Sequence, residues 1–193
     1  MKAIQTSQIS SYVYSRAMMS FFKGADCRDG PTTARDCADI QSQGCTCSGV
    51  YNINISSQIT VNVWCDLHTD GGRWTVNDKH GFGDPYAEYW IGNDNLYTLT
   101  KSGRTELLIL METWDGSYSE FYISDESDNY RLGLSGFSGI AGDSLMDKTM
   151  PQAGHQFSTR DQDNDNFSGS CNPSYHLGGF WFNRCGRSDL NGY

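Results

Sequence analysis

The chain has 193 residues, enough for one domain with a substantial core, or for such a domain and a short leader. Its 14 Lys and Arg face 23 Asp and Glu, a net charge of −9 with no basic cluster anywhere, which argues against nucleic acid or anionic membrane as a partner. No run approaches 18 apolar residues, so no membrane span is expected, and 21 Gly with 13% aromatics exclude a helical bundle or coiled coil.

Residues 1–34 show no clear periodicity and read as a poorly ordered leader. Within 1–22 Ser, Gln and Arg16 interrupt every apolar run, so no convincing signal peptide is present. The segment 34–43 suits a short helix closed by Gly44. Segments 49–55 and 59–65 alternate apolar and polar residues with period two and predict two strands. Asp70, Gly71 and Gly72 turn the chain into a further strand at 73–76, and 81–85 reads as loop. A helix is expected near 94–102, with Asn93 as N-cap and Gly103 as stop. The apolar run 105–114 predicts a central strand. Segments 118–123 and 130–134 pair about a turn at 124–129. Beyond 135 regular structure thins into Gly, Ser, Asp, Asn and aromatics, and long loops of this kind usually carry function.

Seven cysteines stand at 27, 37, 45, 47, 65, 171 and 185. They fit an extracellular disulfide framework. The other reading is a metal site built from Cys45, Cys47, Cys65 and His68, although the Cys-x-Cys spacing is tighter than a zinc knuckle. The odd count leaves at least one thiol free or bonded to another chain.

The sharpest local signal is Asp161-Gln-Asp163-Asn-Asp165. Carboxylates at alternate positions can converge on a hard cation such as Ca²⁺. The loop is not an EF-hand, since Asn166 and Asn172 occupy the sixth and twelfth positions, and a solvated acidic turn is the competing reading. The aromatics Phe180, Trp181 and Phe182 serve either as core plugs or as walls of a small-ligand pocket.

These segments, taken in order, resemble the fibrinogen C-terminal domain. The resemblance runs through Cys37-Ala-Asp-Ile, Ser48-Gly-Val-Tyr, Val63-Trp-Cys65-Asp and Asp70-Gly-Gly-Arg-Trp-Thr-Val. It continues in Tyr89-Trp-Ile-Gly-Asn-Asp-Asn-Leu, Tyr130-Arg-Leu and Ser138-Gly-Ile-Ala-Gly-Asp-Ser-Leu145. Phe157-Ser-Thr-Arg-Asp-Gln-Asp-Asn-Asp165, Gly179-Phe-Trp-Phe-Asn-Arg-Cys185 and Leu190-Asn-Gly192 complete it. It covers about 36–193, in the style of ficolins, tachylectins and other fibrinogen-related lectins.

The resemblance implies an α+β fold: a fibrinogen C-terminal-like globular domain of antiparallel sheets and short helices, with a loop-rich calcium- and ligand-binding C-terminal region, over 35–193. It implies secretion and bridges pairing Cys37 with Cys65 and Cys171 with Cys185. It also implies a Ca²⁺ site from the side chains of Asp163 and Asp165 and the carbonyls of Phe167 and Gly169, with Asp161 outside the ligand set. Two charged ligands place the affinity at the weak extracellular end, on the order of 10⁻⁴ to 10⁻³ M. In lectin members an acetyl-binding pocket lies beside this site, over the peptide that here is Arg184–Cys185, often cis. Tyr175, His176, Phe180 and Phe182 would line it.

Three departures weaken that pocket. Gly186 replaces the usual His. Only four residues, 77–80, replace a longer segment after Val76. The chain also stops where the family continues into further aromatics and a last sheet strand, as in a truncated isoform with impaired binding, and such a chain is expected to be prone to association.

The sequence therefore predicts a non-enzymatic, secreted, calcium-dependent lectin binding acetylated glycans or glycoproteins in innate immunity. The alternative is a signalling or matrix ligand that docks a cell-surface receptor through the loop face. No GxSxG or HExxH motif occurs, which argues against an enzyme. Asn54 and Asn166 begin Asn-x-Ser sequons, and Asn54 is the preferred glycan acceptor because Asn166 lies in the proposed calcium loop.

Overall fold

The computed structural model describes residues 2–6, 33–77, 91–101, 105–110, 115–171, 178–186 and 188–190. The chain divides into two compact units, Met1–Ile91 with Ile109–Thr113, and Gly92–Leu108 with Trp114–Tyr193. The expected loop at 81–85 lies outside the described residues.

In the first unit, strand β1 (Lys2–Thr6) is followed by helix α1 (Cys37–Ser42). Asp36 caps α1 by accepting from the Asp39 N–H, and Gly44 follows it in the left-handed region. The helix buries Cys37 and Ile40. Strands β2 (Gly49–Asn54) and β3 (Thr60–Asp66) form an antiparallel hairpin, in register from Gly49 opposite Cys65 to Asn54 opposite Thr60. The alternation seen in the sequence sorts their faces: Tyr51, Ile53, Val63 and Cys65 are buried, whereas Asn52 and Asn62 are exposed. A short 3₁₀ turn leads into β4 (Trp74–Asn77), antiparallel to β3. The Cys37–Cys65 disulfide fastens α1 to β3. Closing a loop of that length is worth roughly 3.5 kcal/mol in the chain-entropy model.

Strand β1 falls inside the stretch expected to be a poorly ordered leader. It pairs parallel with β4, from Lys2 opposite Trp74 to Gln5 opposite Asn77, in a sheet otherwise expected to be antiparallel. Five residues carry too little pattern to announce a strand; the backbone of β4 supplies the order through its hydrogen-bonding edge. The strand order in this unit is β2-β3-β4-β1.

In the second unit, helix α2 (Asn93–Thr100) buries Leu96, Leu99 and Thr100. Its N-cap is Gly92, with no side-chain cap, one residue earlier than the expected Asn93. Strand β5 (Glu106–Leu110) begins in this unit and ends in the first, while β6 (Asp115–Ile123) and β7 (Leu132–Gly139) pair antiparallel within the second. The turn between β6 and β7 is a 3₁₀ segment, Glu126–Asp128, closed by Asn129 and Tyr130 in the left-handed region. β7 runs five residues beyond the expected 134, through Gly136 and Gly139, where a Cβ would lie 2.0 Å from Ser119 Oγ and 2.5 Å from the Asp115 carbonyl oxygen of β6. A Cβ on Gly133 would lie 2.2 Å from the ring of Tyr122, its cross-strand neighbour. The core of this unit collects Tyr118, Phe121, Ile123, Leu132, Leu134, Leu145, Phe180, Trp181 and Phe182.

From 140 onward the described chain is loop, apart from an isolated bridge between Ser158 and Phe180. Hydrogen bonds hold it in place. Tyr118 donates to Asp143 at 2.7 Å, and the fully buried Gln152 exchanges hydrogen bonds with Ser188 through its carbonyl and amide ends. The fold is α+β, with antiparallel sheets and short helices.

Candidate functional site

The acidic loop is held at both ends. Cys171 is bonded to Cys185, and the Ser158–Phe180 bridge ties its entrance to the aromatic segment. Inside, Asn164 donates through its backbone N–H to Ser158 Oγ at 3.0 Å and through its side chain to the Phe157 carbonyl at 2.7 Å. Asp165 is the hub: Oδ1 accepts from the Phe167 N–H and Oδ2 from the Cys171 N–H, both at 2.8 Å. Asp163 Oδ1 accepts from the Asp165 N–H at 3.2 Å. Asn166 is fastened to Asn183 twice, backbone to backbone at 2.6 Å and amide to amide at 3.1 Å, and its Nδ2 lies 3.3 Å from His155 Nδ1. Phe167 stays 37% exposed at the tip.

The three carboxylates do not converge. Thr159 donates to Asp161 Oδ1 at 2.7 Å, and this hydrogen bond first of all holds the Asp161 carboxyl below its ordinary range. Among the described residues no three His, Cys, Asp or Glu side chains come together for a metal. The structure joins Asp163 and Asp165 only through the Asp165 N–H, and the carbonyls of Phe167 and Gly169, which the resemblance adds to them, belong to the same loop. Oxygen-only donors of that kind suit calcium chemistry. The neighbouring Ser170 Oγ is buried without a hydrogen-bond partner among the described atoms, as a site completed by an ion or water would leave it.

The alternative metal set dissolves, because Cys65 is bonded to Cys37 and His68 Nδ1 faces the Ser48 hydroxyl at 2.8 Å. Cys45 is buried and Cys47 half-buried, both outside the two bridges, and Cys27 lies outside the described residues.

The acetyl-pocket residues fare differently. Tyr175 and His176 lie outside the described residues. Phe180 and Phe182 are 1% and 0% exposed, so they are core side chains and not pocket walls. Their rings pack 5.9 Å apart, Trp181 stands edge-on to Phe157 at 5.0 Å, and its indole N–H donates to the Tyr130 carbonyl at 2.6 Å. The Arg184–Cys185 peptide is trans, as are all peptide bonds among the described residues. The bend there is carried by positive φ at Cys185 and Gly186, 67° and 71°. A Cβ at Gly186 would lie 2.8 Å from the Gln152 amide nitrogen, so a side chain here would have to displace Gln152 as well as adopt a positive φ. Arg184 is exposed. Open clefts of about 400 and 480 Å³ occur elsewhere, one including Tyr97, Lys101 and Phe121, the other Asp39, Gln41 and Arg73.

Sequence reasoning missed the residues that fix the segment just before the loop. Arg131 donates through Nε and Nη2 to Asp128, at 2.9 and 2.7 Å, and through Nη1 to the Gly154 carbonyl. The Arg131 guanidinium holds the exposed Asp128 carboxyl at about 2. Burial, and then the Arg131 charge, push His155 below its ordinary value. Only the Arg131 position had a sequence signal, as part of Tyr130-Arg-Leu.

The family described as fibrinogen beta and gamma chains, C-terminal globular domain, matches residues 33–79 and 76–193. The chain belongs to this family. The two matched stretches overlap at residues 76–79, where the sequence reading expected a shortened segment. Rat angiopoietin-2 is 38% identical over 187 residues, covering 86% of this chain and 37% of that protein. Human angiopoietin-related protein 6 is 40% identical over 182 residues, covering 82% and 37%. The solved fibrinogen-like globe domain of human ANGPTL6 superposes with a TM-score of 0.74 at 37% identity, covering 84% of this chain and 79% of that one. These relatives are angiopoietin-type proteins and not the ficolin or tachylectin lectins whose style the sequence evoked. This chain spans little more than a third of the length of the curated relatives.

Proposed function

We propose that this chain is the receptor-docking globe of a secreted, non-enzymatic signalling or matrix ligand, and that it docks through the acidic loop of its second unit. The observation that carries the reading is its 38–40% identity, over more than four fifths of the chain, to angiopoietin-2 and angiopoietin-related protein 6. Two features support it over the acetylated-glycan lectin. Of the side chains that would wall an acetyl pocket, Phe180 and Phe182 are buried, and the loop presents an exposed Phe167 in the same stretch as the exposed Asp161 and Asp163. An apolar anchor ringed by charge fits a protein partner with a basic rim. Calcium at Asp163 and Asp165 is part of this proposal as an ion that shapes the loop. Secretion accords with the two disulfides and with the lack, among the described residues, of any helix long and apolar enough to cross a membrane.

The test is binding of fluorescently labelled protein to intact animal cells beside retention on an N-acetylglucosamine resin with Ca²⁺. Saturable cell binding that is destroyed by treating the cells with protease, with no retention on the resin, is expected. Retention released by chelator or free sugar, without protease-sensitive cell binding, would return the lectin reading to first place.

A further inference from the structure

Arg73 stands at the end of the turn that leads into β4. Its φ is 75°, in the left-handed region that a residue other than glycine adopts only at a cost. The exposed guanidinium is nonetheless held in place. Its Nε donates to Gln41 Oε1 at 3.2 Å, and the Gln41 amide nitrogen donates in turn to the Leu67 and Gly71 carbonyls, each at 3.2 Å. Gly72 makes room for that amide, since a Cβ there would lie 2.5 Å from Gln41 Nε2.

This cation borders the open cleft of about 480 Å³ lined by Ala38, Asp39, Gln41, Ser42 and Arg73, all within the first unit. The other polar side chains there are engaged. Asp39 accepts from Arg35 Nε at 2.8 Å and from Nη2 at 3.2 Å, and Ser42 Oγ donates to the Asp39 carbonyl at 2.8 Å. Arg73 donates only through Nε among the described residues, so its Nη1–Nη2 edge is open. Two parallel N–H donors on a rigid plane match the two oxygens of a carboxylate. Asp39 beside the cleft and the net charge of −9 oppose a doubly charged phosphate more than a singly charged carboxylate. None of the five lining residues is aromatic, so they offer no ring face on which a sugar could stack.

We propose that Arg73 and this cleft form a binding site for the carboxylate of an acidic peptide side chain. Nη1 and Nη2 of Arg73 donate to the two carboxylate oxygens, while Gln41 keeps the guanidinium from swinging away. The strained φ is then the cost of placing a charge where glycine would fit the backbone better. The site stands whether or not the acidic loop docks a receptor.

The test titrates the full chain with the α-amide of N-acetylglutamate, whose single carboxylate is on the side chain, and follows the Arg73 Nε–Hε resonance and the backbone amides of Asp39 and Ser42 by NMR. Saturable shifts are expected, and none with the matching glutamine compound. Arg73→Lys keeps the charge and loses the fork, so the backbone shifts should need about tenfold more ligand. Arg73→Gly should lose them altogether and melt no lower than wild type, because glycine takes this φ freely. Shifts that do not saturate, equal shifts with the glutamine compound, or unchanged affinity in Arg73→Lys would overturn the site. A clearly lower melting temperature in Arg73→Gly would make Arg73 a prop of the turn and overturn the reading of its strain. Tighter binding of N-acetylneuraminic acid than of the glutamate compound would overturn the choice of a peptide over a sugar acid.

Discussion

Asp165 holds the acidic loop together with two carboxylate oxygens, each accepting a backbone N–H from within the loop. Asp165→Ala leaves those N–H groups without their acceptor and should lower stability by about 1–3 kcal/mol. Asp163 is exposed and accepts a single hydrogen bond, so Asp163→Ala should leave the ion-free protein nearly as stable as wild type. Excess Ca²⁺ should raise the melting temperature of wild type but not of Asp163→Ala, as read by calorimetry; identical wild-type melting with Ca²⁺ and with chelator would remove the ion from the account. The groups just before the loop set a pH dependence. Asp128 sits at about 2 in the fold against roughly 3.9 unfolded, so its contribution is complete above about pH 4 and fades as pH falls toward 2. His155 is depressed in the fold, so the unfolded chain takes up its proton first. Stability therefore falls as pH drops below about 6.5, and His155→Gln should flatten that slope. An unchanged slope in this variant, followed by urea denaturation across the range, would contradict the assignment.

At the scale of elements, the β2–β3 hairpin and α1 were legible because alternation and capping act locally: Tyr51, Ile53, Val63 and Cys65 sort themselves onto one face whatever surrounds them. β1 was not, since its order comes from β4 and not from its own five residues. The glycines that ended β7 in the sequence reading, Gly136 and Gly139, face Ser119 Oγ and the Asp115 carbonyl across the strand pair, where a Cβ would clash. In the site, the resemblance located the loop and the bridged cysteines, but single-residue neighbours decided the rest. Thr159 draws Asp161 aside, and Phe180 and Phe182 point into the core. The turn between β3 and β4 is a sharp case of local geometry. Asp70, Gly71, Gly72 and Arg73 all have positive φ, and a Cβ on Gly72 would lie 2.4 Å from the Leu67 carbonyl oxygen, a backbone atom held by the hairpin. Gly72→Ala should therefore cost about 1–3 kcal/mol in chemical denaturation. Wild-type stability in this variant would show that the turn relaxes freely.

For the whole molecule, the family and fold join this chain to angiopoietin-type relatives, and two of its surfaces differ in chemistry. The hairpin of the first unit offers a polar face bearing a sequon. The loop of the second unit offers Phe167 in an acidic frame, steadied by Asn183 and a disulfide. The direct measurement is the affinity of the protein for protease-sensitive sites on intact cells, compared across variants that keep the wild-type circular dichroism spectrum. Phe167→Ala combined with Asp163→Lys should weaken binding at least about tenfold, the loss of roughly 1.4 kcal/mol, while Asn52→Ala on the hairpin face should leave it unchanged. Equal binding by the loop variant, or a loss confined to the hairpin variant, would contradict docking through the loop.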